Sequence, residues 1–220
     1  GAPGRRAVDL LDDLREGRYV DQRDGGCSCR GRCRRRCRYA RSAVRRIERG
    51  ELALRLAPVK VHDWLVDCAD AFKPVADLKG VSLKVAIDPS VPQILSFDSH
   101  RLRQVLGNLM SNALKFTSTR SVVVRARACA EQSALSTRLH VEVQDTGKGI
   151  AAEALNRLFV EFSQENHTIR STFVGAGLGL ATSKCIIEAM KGVIDVRSEP
   201  GRGSNFWFEI PAGTVMSAVQ

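Results

Sequence analysis

The stretch RLRQVLGNLMSNALKF, Arg101–Phe116, is the strongest helix in the sequence, and it has two working faces. Leu102, Val105, Leu106, Leu109, Ala113 and Leu114 recur at helical spacing and form a stripe fit for burial. Arg101, Gln104, Asn108, Asn112 and Lys115 recur at spacings of three and four on another face. Two asparagines and a lysine one turn apart present carbonyl oxygens and an ammonium in one direction. Hard cations such as Mg²⁺ take oxygen ligands, and lysine pairs with phosphate. Any amphipathic helix also has a polar face for water alone, so this pattern needs company before it marks a site.

Two glycine motifs supply that company. In QDTGKGI (Gln144–Ile150) a strand-like run ends on an Asp followed by Gly147 and Gly149. A carboxylate at a strand end can accept a hydrogen bond from a base amino group. The glycines let backbone pass close beneath a flat ring. In VGAGLGLATSK (Val174–Lys184), Gly175, Gly177 and Gly179 lead into a helix. The free N–H groups and dipole of such a helix start suit phosphate. Each motif alone is weak, since Asp-Thr-Gly is also a good turn and glycines also serve packing. Three in this order point to a nucleotide site. Neither a G-x-x-x-x-G-K-[ST] loop nor a strand–GxGxxG–helix opening is present, which disfavours the two commonest nucleotide folds.

Around these motifs the chain alternates regularly. Val61–Leu78 reads as a helix with Leu65, Val66, Ala69 and Phe72 on its apolar side, and Ser82–Ile87 as a strand turned by Asp88-Pro89-Ser90. The central helix pattern extends over Phe97–Phe116. Ser121–Ala130 and Arg138–Asp145 are suited to pair antiparallel. Ala151–Phe159 reads as a short helix, Ser163–Gly179 as a polar loop, and Leu180–Met190 as a helix stopped by Gly192. Val193–Ser198 and Ser204–Ile210 read as strands around an SEPGRGS turn. Helices mixed with strands predict an α/β sandwich.

The 220 residues are 44% hydrophobic and 26% charged, ordinary for a globular domain with an appendage. Only 5% are aromatic, so the core has to be aliphatic. No run approaches eighteen apolar residues, and no charged-then-apolar signal pattern opens the chain. The net charge of +10 suggests nucleic acid until it is divided by position. Residues 1–60 hold 17 Lys+Arg against 8 Asp+Glu; the rest hold 17 against 16, close to neutral.

The basic quarter contains CSCRGRCRRRCRYAR, with seven arginines and four cysteines but almost no large aliphatic residue. It cannot bury enough apolar area to offset the entropy of ordering, so a disordered insertion over about 24–42 is expected. Its cysteines (Cys27, Cys29, Cys33, Cys37) lack paired C-x-x-C knuckles and a nearby histidine, which disfavours zinc. Its arginines lack interleaved aromatics or a folded reading element, which disfavours nucleic acid. Cys68, Cys129 and Cys185 are scattered, in keeping with reduced thiols.

Taken together, the motifs resemble the ATP-binding catalytic domain of sensor histidine kinases. That domain shares a superfamily with DNA gyrase, mismatch-repair ATPases and heat-shock chaperones. RLRQVLGNLMSNALKFT resembles the family's asparagine box, QDTGKGI its first glycine box, and LFVEFSQ (Leu158–Gln164) its phenylalanine box. GAGLGLATSK and SEPGRGSNFWFEIP resemble the remaining glycine elements. The resemblance implies a two-layer α/β sandwich, a mixed sheet with helices on one face, preceded by a partial helical segment. The catalytic domain would span 58–212, after a helix remnant at 1–57 and before a tail at 213–220. ATP and Mg²⁺ are the implied cofactors.

By position, Asn108 and Asn112 would hold Mg²⁺, Lys115 would contact phosphate, and Asp145 would accept from the adenine amino group. Gly147 and Gly149, with Ile150, would shape the floor beneath the base. Phe159 and Phe162 would anchor one side of a lid. Gly175, Gly177 and Gly179, with Leu178 and Leu180, would form its far hinge and a phosphate cradle. Two departures are mild: Ala176 replaces the usual threonine, and Asn205 stands in the Ser-Thr-Phe element, where it would weaken a hydroxyl contact near the base.

A larger departure concerns the phosphoacceptor. None of His62, His100, His140 and His167 sits in an acceptor motif; His62 follows SAVRRIERGELAL, which resembles the end of the second helix of a dimerising hairpin. AVDLLDDL and SAVRRIERGEL would then be two parts of that helix, split by the insertion, with the acceptor helix upstream of Gly1. The implied activity is transfer of the ATP γ-phosphoryl group to a histidine outside this chain. The alternatives are a pseudokinase that signals by conformation and, further off, an ATPase, whose water-activating glutamate is replaced here by Asn108. Implied partners are the acceptor helix, a response-regulator receiver domain and a second copy through the upstream helices. The expected location is cytoplasmic, free or as the cytosolic part of a membrane-anchored receptor, with no membrane contact within this chain.

Overall fold

The computed structural model of the protein describes residues 53–130, 136–155, 158–159 and 178–214. The two expected helix halves, the Arg/Cys insertion, most of the polar loop with Phe162, His167, Gly175 and Gly177, and residues 215–220 lie outside the described residues. In chain order come β1 (Ala57–Lys60), α1 (Val61–Asp70), α2 (Lys73–Leu78), β2 (Ser82–Ile87), β3 (Ile94–Phe97) and α3 (Ser99–Phe116). Then follow β4 (Ser121–Ala130), β5 (Ser136–Asp145), α4 (Ala152–Leu155), α5 (Leu178–Ala189), β6 (Val193–Glu199) and β7 (Gly203–Thr214).

The strands form one mixed sheet in the order β1-β3-β7-β5-β4-β2, with β6 also paired to β7. β2 and β4 run parallel, and the other pairs antiparallel. The expected β4–β5 pairing is present, with Val124 opposite Val143 and Val122 opposite Asp145. Alternation then sorts the two faces of the sheet. Val122, Val124, Leu139, Val141, Val143, Phe206, Phe208 and Ile210 are buried in one cluster with the helix stripes. Arg125, Arg127 and Gln144, one residue out of phase, are exposed on the other face. Helices on one face of a mixed sheet are thus the architecture.

The core side of α3 is the aliphatic stripe read from the sequence, with Met110 added. Its start differs from the expected Phe97. Phe97 closes β3, and Asp98 caps the helix by accepting the Arg101 N–H at 3.0 Å. Its other oxygen accepts the Arg55 N–H at 2.9 Å. At the far end the Lys79 ammonium donates to the carbonyls of Leu114 and Thr117, where a cation suits the helix dipole.

The single helix expected over Val61–Leu78 is two helices, α1 and α2. Pro74 sits in the first turn of α2. Inside one continuous helix it would lack an N–H and press its ring on the carbonyl of Asp70. Trp64, on α1, packs edge-on against Phe97 at 5.3 Å between ring centroids, closing the core beside β3.

Candidate functional site

β5 ends on Asp145, which is 4% exposed although it is a carboxylate. The alternation that buries Val141 and Val143 carries Asp145 to the same side of the sheet. Its Oδ1 accepts the Gly147 N–H at 2.8 Å. Ser204 lies directly opposite on β7, and its backbone and hydroxyl, like the Gly147 N–H, favour the charged carboxylate. Burial pushes the carboxyl above its ordinary pKa, and these groups only partly offset that.

The two glycines after Asp145 have separate reasons. A Cβ on Gly147 would lie 2.8 Å from Asp145 Oδ1 and 2.5 Å from the Phe116 carbonyl oxygen. Gly147 is therefore what lets the loop pass between the end of α3 and the carboxylate. Gly149 has φ +68° and would drive a Cβ into the Glu199 carbonyl. The loop is fastened from both sides. The Ile150 N–H donates to Ser198 Oγ at 2.9 Å, and Gly201 N–H to the Lys148 carbonyl at 2.7 Å. Thr146 Oγ1 accepts the Ser121 N–H at 3.2 Å.

Where this loop meets the end of α3, an open cleft of about 380 Å³ is lined by Lys115, Phe116, Thr119, Gly147 and Lys148 among others. The Lys115 and Lys148 ammonium groups lie 5.4 and 5.2 Å from the Phe116 ring centroid. Burial, and then the like charge of Lys148, hold the Lys115 pKa below its ordinary value. An anion in the cleft would oppose this shift by favouring the charged ammonium.

Asn108 lies two turns earlier on α3 and faces α5. Its Nδ2 donates to Ser183 Oγ at 3.1 Å. Its Oδ1 occupies the space that a Cβ on Gly179 would fill. Asn112 follows one turn on, partly exposed on the same side of α3. Ile150, Phe159 and Leu180 are half-buried against the core. Leu178 opens α5, two residues before the expected Leu180.

The structure thus brings together Asp145 with Gly147, Lys115 with Gly147 across the cleft, and Asn108 with Gly179. It corrects one expectation. Asn205 points to the opposite face, where its amide donates to Glu142 Oε2 at 2.9 Å. The hydroxyl near the carboxylate is that of Ser204. Residue parity along β7 could have found this, because Ser204 keeps phase with Phe206 and Phe208. Lys148 and Ser183 also stand at the candidate site; each lies within a glycine motif, QDTGKGI or GAGLGLATSK, at a position whose spacing gives no sign of it.

The family described as "Histidine kinase-, DNA gyrase B-, and HSP90-like ATPase" matches residues 97–214, and the chain belongs to it. Within it, the chain is an ATP-binding catalytic domain of the histidine-kinase type. It is 39% identical over 165 residues to "Sensor protein GacS" of Pseudomonas syringae pv. syringae, covering 75% of this chain and 18% of that protein. It is 42% identical over 140 residues to "Sensor histidine kinase RcsC" of Escherichia coli (strain K12), covering 64% of this chain and 14% of that protein. Among solved structures, full-length ShkA in complex with AMPPNP superposes with TM-score 0.69 at 34% identity, covering 82% of this chain and 36% of that one. The Acinetobacter baumannii histidine kinase AdeS superposes at TM-score 0.59 and 20% identity, covering 93% of this chain and 92% of that one, a likeness of fold. The chain thus spans less than a fifth of the length of the two curated relatives named here.

Proposed function

We propose that this chain binds ATP with Mg²⁺ and passes the γ-phosphoryl group to a histidine on a helix brought to it from outside the described residues. The observation that carries this reading is Asp145: a carboxylate buried at a strand end, held by Gly147 and Ser204 beside a cleft with two lysines. A buried acceptor of that kind fits a base amino donor, and Gly147 and Gly149 with Ile150 floor the space for a flat ring. Lys115 is the phosphate contact. Gly179, Leu178 and Leu180 at the start of α5, with Gly175 and Gly177, form the far hinge and phosphate cradle. Phe159 and Phe162 hold the near side of the lid.

The donor set fits Mg²⁺. Asn108 and Asn112 offer neutral amide oxygens, the hard ligands that Mg²⁺ accepts beside phosphates. Asn108 Oδ1 can stand at the start of α5 only because residue 179 is glycine, since it occupies the place of a Cβ there. When bound, Mg²⁺ neutralises charge on the phosphates. Phosphoryl transfer then needs positioning more than covalent help from the protein. Hydrolysis is the weaker reading, because the Asn108 amide cannot take a proton from water.

The proposed organisation keeps a helix remnant over 1–57, the catalytic domain over 58–212 and a tail after it. The acceptor helix, a receiver domain and a second copy joined through upstream helices are the proposed partners, in the cytoplasm. Binding of AMPPNP with and without Mg²⁺, beside a phosphate-release assay with ATP, tests the reading. Mg²⁺-dependent binding with negligible phosphate release supports it. Rapid release would make the chain an ATPase, and no binding would remove the nucleotide reading.

A further inference from the structure

Asn108 is held at both ends of its amide by two residues of one helix, Gly179 and Ser183. These lie four apart on α5, so they stack on the same face of it. Ser183 is 2% exposed and takes the nitrogen end, accepting from Nδ2 at 3.1 Å across 75 residues of sequence. Gly179 leaves room for the oxygen end, since a Cβ there would collide with Oδ1.

An amide has two nearly isosteric orientations, and only one presents an oxygen. Flipped, Asn108 would aim its NH₂ at the start of α5, where the first N–H groups of a helix are themselves donors. Donor would face donor, and a cation would meet the positive end of the amide. A serine inside a helix can turn its hydroxyl proton to the carbonyl four residues back. Its oxygen lone pairs are then left for the amide nitrogen.

We propose that Ser183 is a positioning residue that fixes the Asn108 amide with its oxygen toward the phosphate end of α5, and so sets the affinity of the site for Mg²⁺. The inference rests on the nucleotide reading above. Ser183 touches neither base nor phosphate in this account; it acts through Asn108, as outer partners orient metal ligands elsewhere.

The test is a titration of AMPPNP into the full chain at a series of Mg²⁺ concentrations and in EDTA, for the wild type, Ser183→Ala and Ser183→Thr. Ser183→Ala keeps the helix, since alanine is its best former. It is expected to raise the Mg²⁺ concentration for half-maximal tightening by about ten-fold, with Mg²⁺-free affinity within about two-fold of wild type. Ser183→Thr, which keeps a hydroxyl, restores the wild-type Mg²⁺ midpoint. An unchanged midpoint in Ser183→Ala would overturn the inference while leaving the nucleotide reading intact. So would an equal loss with and without Mg²⁺, which would mark a packing role only. If the wild type itself binds no AMPPNP, both the inference and the nucleotide reading are overturned.

Discussion

At the scale of single residues, Asp145 combines a cost with a use. Burial raises its carboxyl pKa above the ordinary value, while the Gly147 N–H and Ser204 pull the other way. The folded protein therefore binds this proton more tightly than the unfolded chain does. Above the raised pKa the group opposes folding, and that opposition fades as pH falls through it. Asp145→Asn keeps an acceptor oxygen for Gly147 and removes the buried charge. Its urea midpoint at pH 7 should equal or exceed that of the wild type, and the stability gain on acidification from this group should vanish. Its ATP affinity should fall ten- to a hundred-fold, about 1.5–3 kcal/mol for losing the charge on one side of a hydrogen bond. Loss of stability together with unchanged ATP affinity would mean the carboxylate is structural. The strand end and the close-passing loop were legible in Gln144–Ile150, although Asp-Thr-Gly alone reads equally well as a turn. The share taken by Ser204 was not legible, since it depends on which strand lies opposite and in what register.

Among the elements, α3 organises both the core and the candidate site; the adjacent Asp98 caps its start, and the distant Lys79 side chain closes its end. Asp98 accepts from the Arg101 and Arg55 N–H groups while 3% exposed, so its removal leaves both donors without that partner. Asp98→Ala should lower the urea midpoint at constant slope, at a cost of about 1–2 kcal/mol. Asp98→Asn, which keeps one acceptor oxygen, should lose less; equal losses would put the effect in packing rather than in the cap. The apolar stripe of α3 was readable because a period near 3.6 leaves little choice. Its start was harder, because Phe97 is as apolar as the residues of the helix and only Asp98 marks the boundary. The break between α1 and α2 was marked in the sequence by Pro74, and the apolar spacing from Val61 onward masked it. The bond between Asn108 and Ser183 has no local signal, since 75 residues separate its partners.

For the whole molecule, the charge map separates two regions with different physics. The net +10 belongs almost wholly to residues 1–60, and the catalytic body is near neutral. In the proposed reading, attraction for a triphosphate comes from local cations such as Lys115 and Lys148 at the cleft rather than from a field spread over the domain. The body carries the proposed nucleotide site and no histidine in an acceptor motif, so the proposed transfer requires that a histidine be supplied from elsewhere. The measurement that tests this most directly is incubation with γ-labelled ATP and Mg²⁺ beside intact acceptor hairpins from two related sensor kinases. The account predicts acid-labile label on a hairpin, absent when Asp145→Asn replaces the wild type. Hairpins that stay unlabelled while ATP is bound with Mg²⁺ would contradict it, and would leave a nucleotide-binding domain that signals without transfer.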